Sequence, residues 1–100
     1  MRHLNSDEIP LIKYLLQKSG LNYSISDLKV SEMKDGGMGS LLFYSKTKKP
    51  ELGKTAAEYC FKDSDGIDVT VCLNLDQNGE LYELDVWKTD FSELKKWPNF

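Results

Sequence analysis

Two hydrophobic periods divide this chain. Ile9, Ile12, Leu15 and Leu16 recur at the spacing of one face of an α-helix. Asn5 or Ser6 can cap its start, Asp7 and Glu8 suit the positive end of the helix dipole, and Pro10 is tolerated in the first turn. Gly20 is a natural stop. The pattern predicts a helix lying on a sheet.

From about residue 28 the period falls to two. Residues 28–34 and 40–46, joined by Asp35-Gly36-Gly37-Met38-Gly39, predict a hairpin. A polar loop follows to about residue 54, broken by Pro50 and Gly53. Residues 55–62 include Ala56-Ala57-Glu58, which also suits a helix. The alternation of Tyr59 and Phe61 with Cys60 and Lys62 favours a strand.

The last two hairpins carry a register argument. Asn78-Gly79 signals a two-residue type I′ turn. Such a turn sets Leu75 opposite Tyr82, Leu73 opposite Leu84 and Val71 opposite Val86, apolar against apolar at every step. In the preceding turn, Ser64-Asp65-Gly66 reads as a three-residue loop with Gly66 left-handed, which places Phe61 opposite Val69 and Tyr59 opposite Val71. The outward face is then polar. It holds Glu58, Cys60 and Lys62, then Asp68, Thr70, Cys72, Asn74 and Asp76, then Leu81, Glu83, Asp85 and Trp87. A short C-terminal helical turn is expected, capped by Asp90 with Glu93 three residues on and ended by Pro98. The whole predicts a single α+β domain over residues 1–100. Its antiparallel sheet has about five strands in meander order, with the N-terminal helix packed on one face.

Charge sharpens this picture. Between residues 63 and 90 lie eight carboxylates and one lysine, Lys88, so a stretch at −7 sits in a chain of net charge −3. Asp68, Glu83 and Asp85 point outward beside Trp87, a surface suited to a basic protein partner. The acidic balance argues against nucleic-acid binding, which rests on neutralising phosphates. With 40% hydrophobic and 11% aromatic residues the chain can bury a core. No apolar run approaches the ~20 residues that span a bilayer. The first residues also lack the ~7–15-residue apolar run of a signal peptide. The expected location is cytoplasmic, without membrane association, and the expected state is a monomer or homodimer.

Several motifs imitate chemistry. Asn74, Asp76, Asn78, Gly79 and Asp85 imitate a calcium loop, but the first ligand is Asn, the twelfth is Asp, and the flanks alternate as strands where the motif needs helices. Gly53-Lys54-Thr55 resembles the end of a phosphate loop, yet Lys48 stands where a glycine is required. Asp35-Gly36-Gly37-Met38-Gly39 could present amides to an anion, but a strand follows it, so a tight hairpin is preferred. His3 lies in a terminus expected to fray, which disfavours Ser-His or Cys-His catalysis. Cys60 faces Thr70 and Cys72 faces Asp85, diagonal neighbours at ~7–8 Å and better read as free thiols than as a disulfide. No metal site and no cofactor is expected.

The strings Asp35-Gly-Gly-Met-Gly-Ser40, Asp63-Ser-Asp-Gly66 and Leu81-Tyr-Glu-Leu-Asp-Val-Trp-Lys-Thr-Asp-Phe91 resemble a family of small bacterial domains of unknown function, over nearly the whole chain. The resemblance implies a bacterial, single-domain α+β protein and supplies no catalytic residue. The expected function is a non-enzymatic interaction domain whose acidic face, Asp68, Glu83, Asp85 and Trp87, binds a basic partner. An immunity-type protein is one version, by analogy of size and charge. The alternatives are a metal-dependent or acid–base enzyme using Asp68, Glu83 and Asp85, and a homo-oligomeric structural subunit.

Overall fold

The computed structural model describes residues 1–100. Six strands form one antiparallel sheet: β1 (Arg2–His3), β2 (Lys29–Glu32), β3 (Leu41–Phe43), β4 (Leu52–Lys62), β5 (Asp68–Asp76) and β6 (Leu81–Lys88). One α-helix, α1 (Ile9–Ser19), and a 3-10 turn, Ile25–Asp27, lie between β1 and β2. The α+β class and the helix agree with the sequence reading. The strand order β1-β2-β3-β6-β5-β4 does not, because β3 pairs with β6 and leaves β4 at an edge. Strand chemistry accounts for the difference. β5 and β6 bury Val69, Val71, Leu73, Leu84 and Val86 and take the interior, whereas β4 buries only Ala57 and lies at the edge.

The N-terminus is not frayed. Arg2 and His3 pair with Val30 and Lys29 as a sixth strand. Arg2 also grips the buried Glu8 carboxylate with both guanidinium nitrogens, at 2.8 and 2.9 Å. The Glu8 side chain in turn accepts the Asn5 amide at 2.8 Å; Glu8, not Asn5 or Ser6, stands at the helix N-cap, and no side chain caps the helix. Leu11, rather than Ile9, joins Ile12, Leu15 and Leu16 in the buried stripe. These side chains meet Val69, Val71, Leu73, Leu84 and Val86 from the sheet. Each contributes about 1.5–3 kcal/mol by leaving water. Gly20 ends the helix in the left-handed conformation.

Both final hairpins use the same turn. Asp63 accepts the Gly66 amide and Asp76 the Gly79 amide, at 2.9 and 3.0 Å, with Gly66 and Gly79 left-handed. The first agrees with the expected three-residue loop, and Phe61↔Val69 and Tyr59↔Val71 pair as read. The second corrects the type I′ reading, since Asn78 does not take the positive φ that such a turn requires. The Asp76 carboxylate decides it by accepting the amides of Asn78 and Glu80 at 2.8 and 3.0 Å. The extra loop residue is absorbed by a bulge at Tyr82. Leu75 therefore pairs with Leu81, not Tyr82, and Leu81 turns into the core instead of outward. Beyond the bulge Leu73↔Leu84 and Val71↔Val86 hold.

Residues 91–100 form no helical turn. Their backbone groups are claimed from outside: the Leu94 amide by the Gly37 carbonyl, those of Lys95 and Lys96 by the Asp63 carboxylate, and the Glu93 carbonyl by Lys88. An extended segment satisfies these partners and a helix cannot. It crosses the Asp35–Ser40 loop closely enough that a Cβ on Gly39 would lie 3.1 Å from the Trp97 ring. That contact gives the glycine motif its packing reason.

Candidate functional site

The sheet face turned away from α1 is built from cross-strand rows. Lys62 sits beside Asp68; Cys60, Thr70 and Trp87 make the next row; Glu58, Cys72 and Asp85 the next; Asn74 beside Glu83 follows. The four sequence-predicted residues therefore share one patch, with the row of Trp87 between those of Asp68 and Asp85. Their environments differ. Asp85 is exposed and makes no hydrogen bond through its carboxylate. Glu83 is half-buried and accepts from Asn74 Nδ2 at 3.0 Å. Asp68 is paired with Lys62 at 2.8 Å, so its charge is locally compensated.

Trp87 is 46% exposed, and the C-terminal segment leaves it open. Its ring lies 6.4 Å from that of Phe91, which is 67% exposed. Phe91 holds φ 62°, a left-handed conformation that is costly for a bulky side chain. The turn that imposes it is well tied. Phe91 N–H donates to the Lys88 carbonyl at 2.8 Å, and Asp90 accepts the Ser92 amide and hydroxyl at 3.0 and 2.6 Å. Two aromatic rings are thus exposed at the end of β6, with Asp85 two residues before Trp87 on the same face.

Of the remaining acidic residues of the stretch, Asp63, Asp65 and Asp76 are tied to a buried lysine and a turn, while Glu80 and Asp90 are exposed. Lys88 is fully buried and spends its three ammonium protons on Asp63 Oδ2 at 2.9 Å, Asp65 Oδ2 at 2.6 Å and the Glu93 carbonyl at 3.0 Å. Burial opposes the Lys88 charge, yet the Asp65 and Asp63 carboxylates hold its pKa above the usual lysine value. Burial likewise opposes charge on Asp63. The Lys95 amide, the Lys88 ammonium and the amides of Ser64 and Lys96 outweigh it and keep the carboxyl at about 2. Asp76, expected on the outward face, is buried under its own turn and also accepts the Ser45 hydroxyl at 3.2 Å. Glu80 accepts the Tyr23 hydroxyl at 2.8 Å.

Lys88 was the residue to find in the sequence. Leu84 and Val86 alternate inward along β6, and the same parity carries Lys88 inward with nothing but a carboxylate able to receive it. Asp63, at the start of the facing turn, is the obvious acceptor.

No group of three or more His, Cys, Asp or Glu side chains is placed to hold a metal ion. Both cysteines are free; Cys60 touches Thr70 Oγ1 at 3.6 Å. Burial, with Glu58 and Asp85 nearby, pushes the Cys72 thiol up, the opposite of nucleophile activation. A cleft of about 240 Å³ lies between the start of α1, the Asp35–Ser40 loop and Trp97. Its buried carboxylate, Glu8, is taken by Arg2, and its Asp35 by the amides of Met38 and Ser40. No helix is long and apolar enough to cross a membrane.

A family model described as a domain of unknown function, DUF6984, matches residues 1–98. No curated protein and no solved structure matches the chain.

Proposed function

We propose that this chain, which belongs to the DUF6984 family of domains of unknown function, is a non-enzymatic interaction domain that offers its open sheet face to a basic protein partner. Trp87 is the anchor, Phe91 widens the aromatic platform, and Asp85, Glu83 and Asp68 supply the acidic surround. The observation that carries this reading is the exposed Trp87–Phe91 pair, with Phe91 held at an unfavourable φ. A chain that gained nothing from an aromatic there would be more stable with glycine. Aromatic side chains of this kind concentrate binding energy, and carboxylates around them speed and orient encounter with a cationic surface. An inhibitor of a basic toxin is one partner relationship with this chemistry, and a cytoplasmic setting suits the two free thiols.

The test is affinity capture with the intact domain as bait, followed by identification of what binds. The reading expects a basic protein, retained by the native chain and lost on Glu83→Lys with Asp85→Lys or on Trp87→Ala, with thermal unfolding unchanged. Capture that survives both variants removes the face from consideration. The enzyme reading, with Asp68, Glu83 and Asp85 acting together, is the weaker one, because Asp68 is already paired with Lys62 and Glu83 with Asn74.

A further inference from the structure

We infer that two copies of this chain associate through the free edge of β4, extending the sheet across a two-fold axis at Cys60. β4 is the last strand in the sheet order, eleven residues long and bonded on one side only, whereas β1 at the other edge has two residues. Asp63 bonds inward to Ile67 through its amide, so strand alternation directs the backbone groups of Lys62, Cys60 and Glu58 away from β5. The contact from Lys18 Nζ to the Glu58 carbonyl, 2.8 Å, agrees with that direction.

Side-chain charge selects one register. Glu58, Cys60 and Lys62 are all exposed and all lie on the outward face. Antiparallel pairing about Cys60 sets Glu58 opposite Lys62 of the second copy and Lys62 opposite its Glu58, two opposite-charge pairs related by symmetry. An axis through Glu58 would oppose two carboxylates, and one through Lys62 two ammonium groups. An axis through Tyr59 or Phe61 makes neither charge pair. On the inner face the chosen register brings Tyr59 beside Phe61 of the second copy, and both are half-buried in one chain alone. Lys18 must release the Glu58 carbonyl, a rearrangement of one exposed side chain. The Lys62–Asp68 pair is solvent-exposed and easily shared. The product is a continuous sheet that presents two Trp87 patches on one side, so that a partner with repeated basic sites gains from both.

Sedimentation equilibrium of the full chain over a wide concentration range, with a reducing agent present, tests the inference. A monomer–dimer equilibrium is expected. Glu58→Lys alone and Lys62→Glu alone each weaken it about tenfold, since each places like charges across the axis twice. The double exchange, Glu58→Lys with Lys62→Glu, restores it. A second readout needs no charge variant. The axis holds the two Cys60 Cα atoms at about 5.5 Å, inside the range a disulfide accepts. Copper–phenanthroline with oxygen, which takes up two electrons as the thiols release two protons, should give a covalent dimer from the native chain and from Cys72→Ser but not from Cys60→Ser. A chain that stays monomeric throughout, a dimer indifferent to both single charge variants, or a crosslink that survives Cys60→Ser overturns the inference.

Discussion

Lys88 and Asp63 form a wholly enclosed ion pair, Nζ to Oδ2 at 2.9 Å with neither side chain exposed. The pair joins the end of β6 to the turn between β4 and β5, and through the Lys95 and Lys96 amides it also fixes the C-terminal segment. Replacing Lys88 leaves the enclosed Asp63 carboxylate with backbone amides alone to offset its burial. Lys88→Met should therefore cost about 3–5 kcal/mol in urea unfolding. It should also speed hydrogen exchange at Lys95 and Lys96 while leaving the helix protected. A loss below about 1 kcal/mol would mean that the pair is not what holds the segment.

Acid should reach the same site. The Asp63 carboxyl, ordinarily near 3.8, is held at about 2. A depressed carboxyl contributes its full stability above the ordinary value and loses it as the pH falls toward the folded one. The thermal midpoint of the native chain should thus drop more steeply between about pH 4 and pH 2 than that of Asp63→Asn. Parallel curves would contradict the assignment. The raised Lys88 value acts at the other extreme, its contribution complete below 10.5 and lost as the pH rises beyond that value.

Gly53 is required by a close approach. A Cβ there would stand 2.3 Å from the Asp76 carbonyl oxygen, a backbone atom that cannot swing away. Gly53→Ala should cost about 1–3 kcal/mol or displace the start of β4. Gly79→Ala meets open space and is strained only by its φ of 79°, at about 1–2 kcal/mol. Chemical shifts of Asp76 and Gln77 separate the two, moving strongly for the first alone.

Phe91 offers the opposite sign. Phe91→Gly relieves a left-handed phenylalanine and should raise stability by about 1 kcal/mol while weakening partner binding. A destabilised variant would show that the ring contributes to packing rather than to a surface.

Much of this was legible in the chain, and the reasons for the rest are specific. Period-two alternation located β4, β5 and β6 and oriented Thr70, Cys72, Asp85 and Trp87 correctly, because side-chain parity is a local property. The Asn78-Gly79 turn misled, because an aspartate two residues earlier can cap a longer turn, and Asp76 does so. Strand order was not local information. Nothing in the sequence of β3 says that Leu41 meets Leu84 rather than a residue of β4. The acidic stretch was read as one surface, whereas Asp63, Asp65, Asp76 and Glu80 are spent on Lys88, a turn and Tyr23. What the sheet face offers is smaller and more particular than the charge count: exposed Asp85 and half-buried Glu83 beside Trp87, with Asp68 compensated, while Glu80 and Asp90 are exposed in turns.

That distinction sets the deciding measurement. Affinity for the captured basic partner should be compared between Asp85→Lys, on the face, and Glu51→Lys, an exposed residue in the loop before β4. Both change the net charge equally. The account predicts that Asp85→Lys weakens binding at least about tenfold and Glu51→Lys leaves it within a factor of about two, with both proteins as stable as the native chain. Equal effects from the two reversals would make the interaction a matter of overall charge and contradict a site at Trp87.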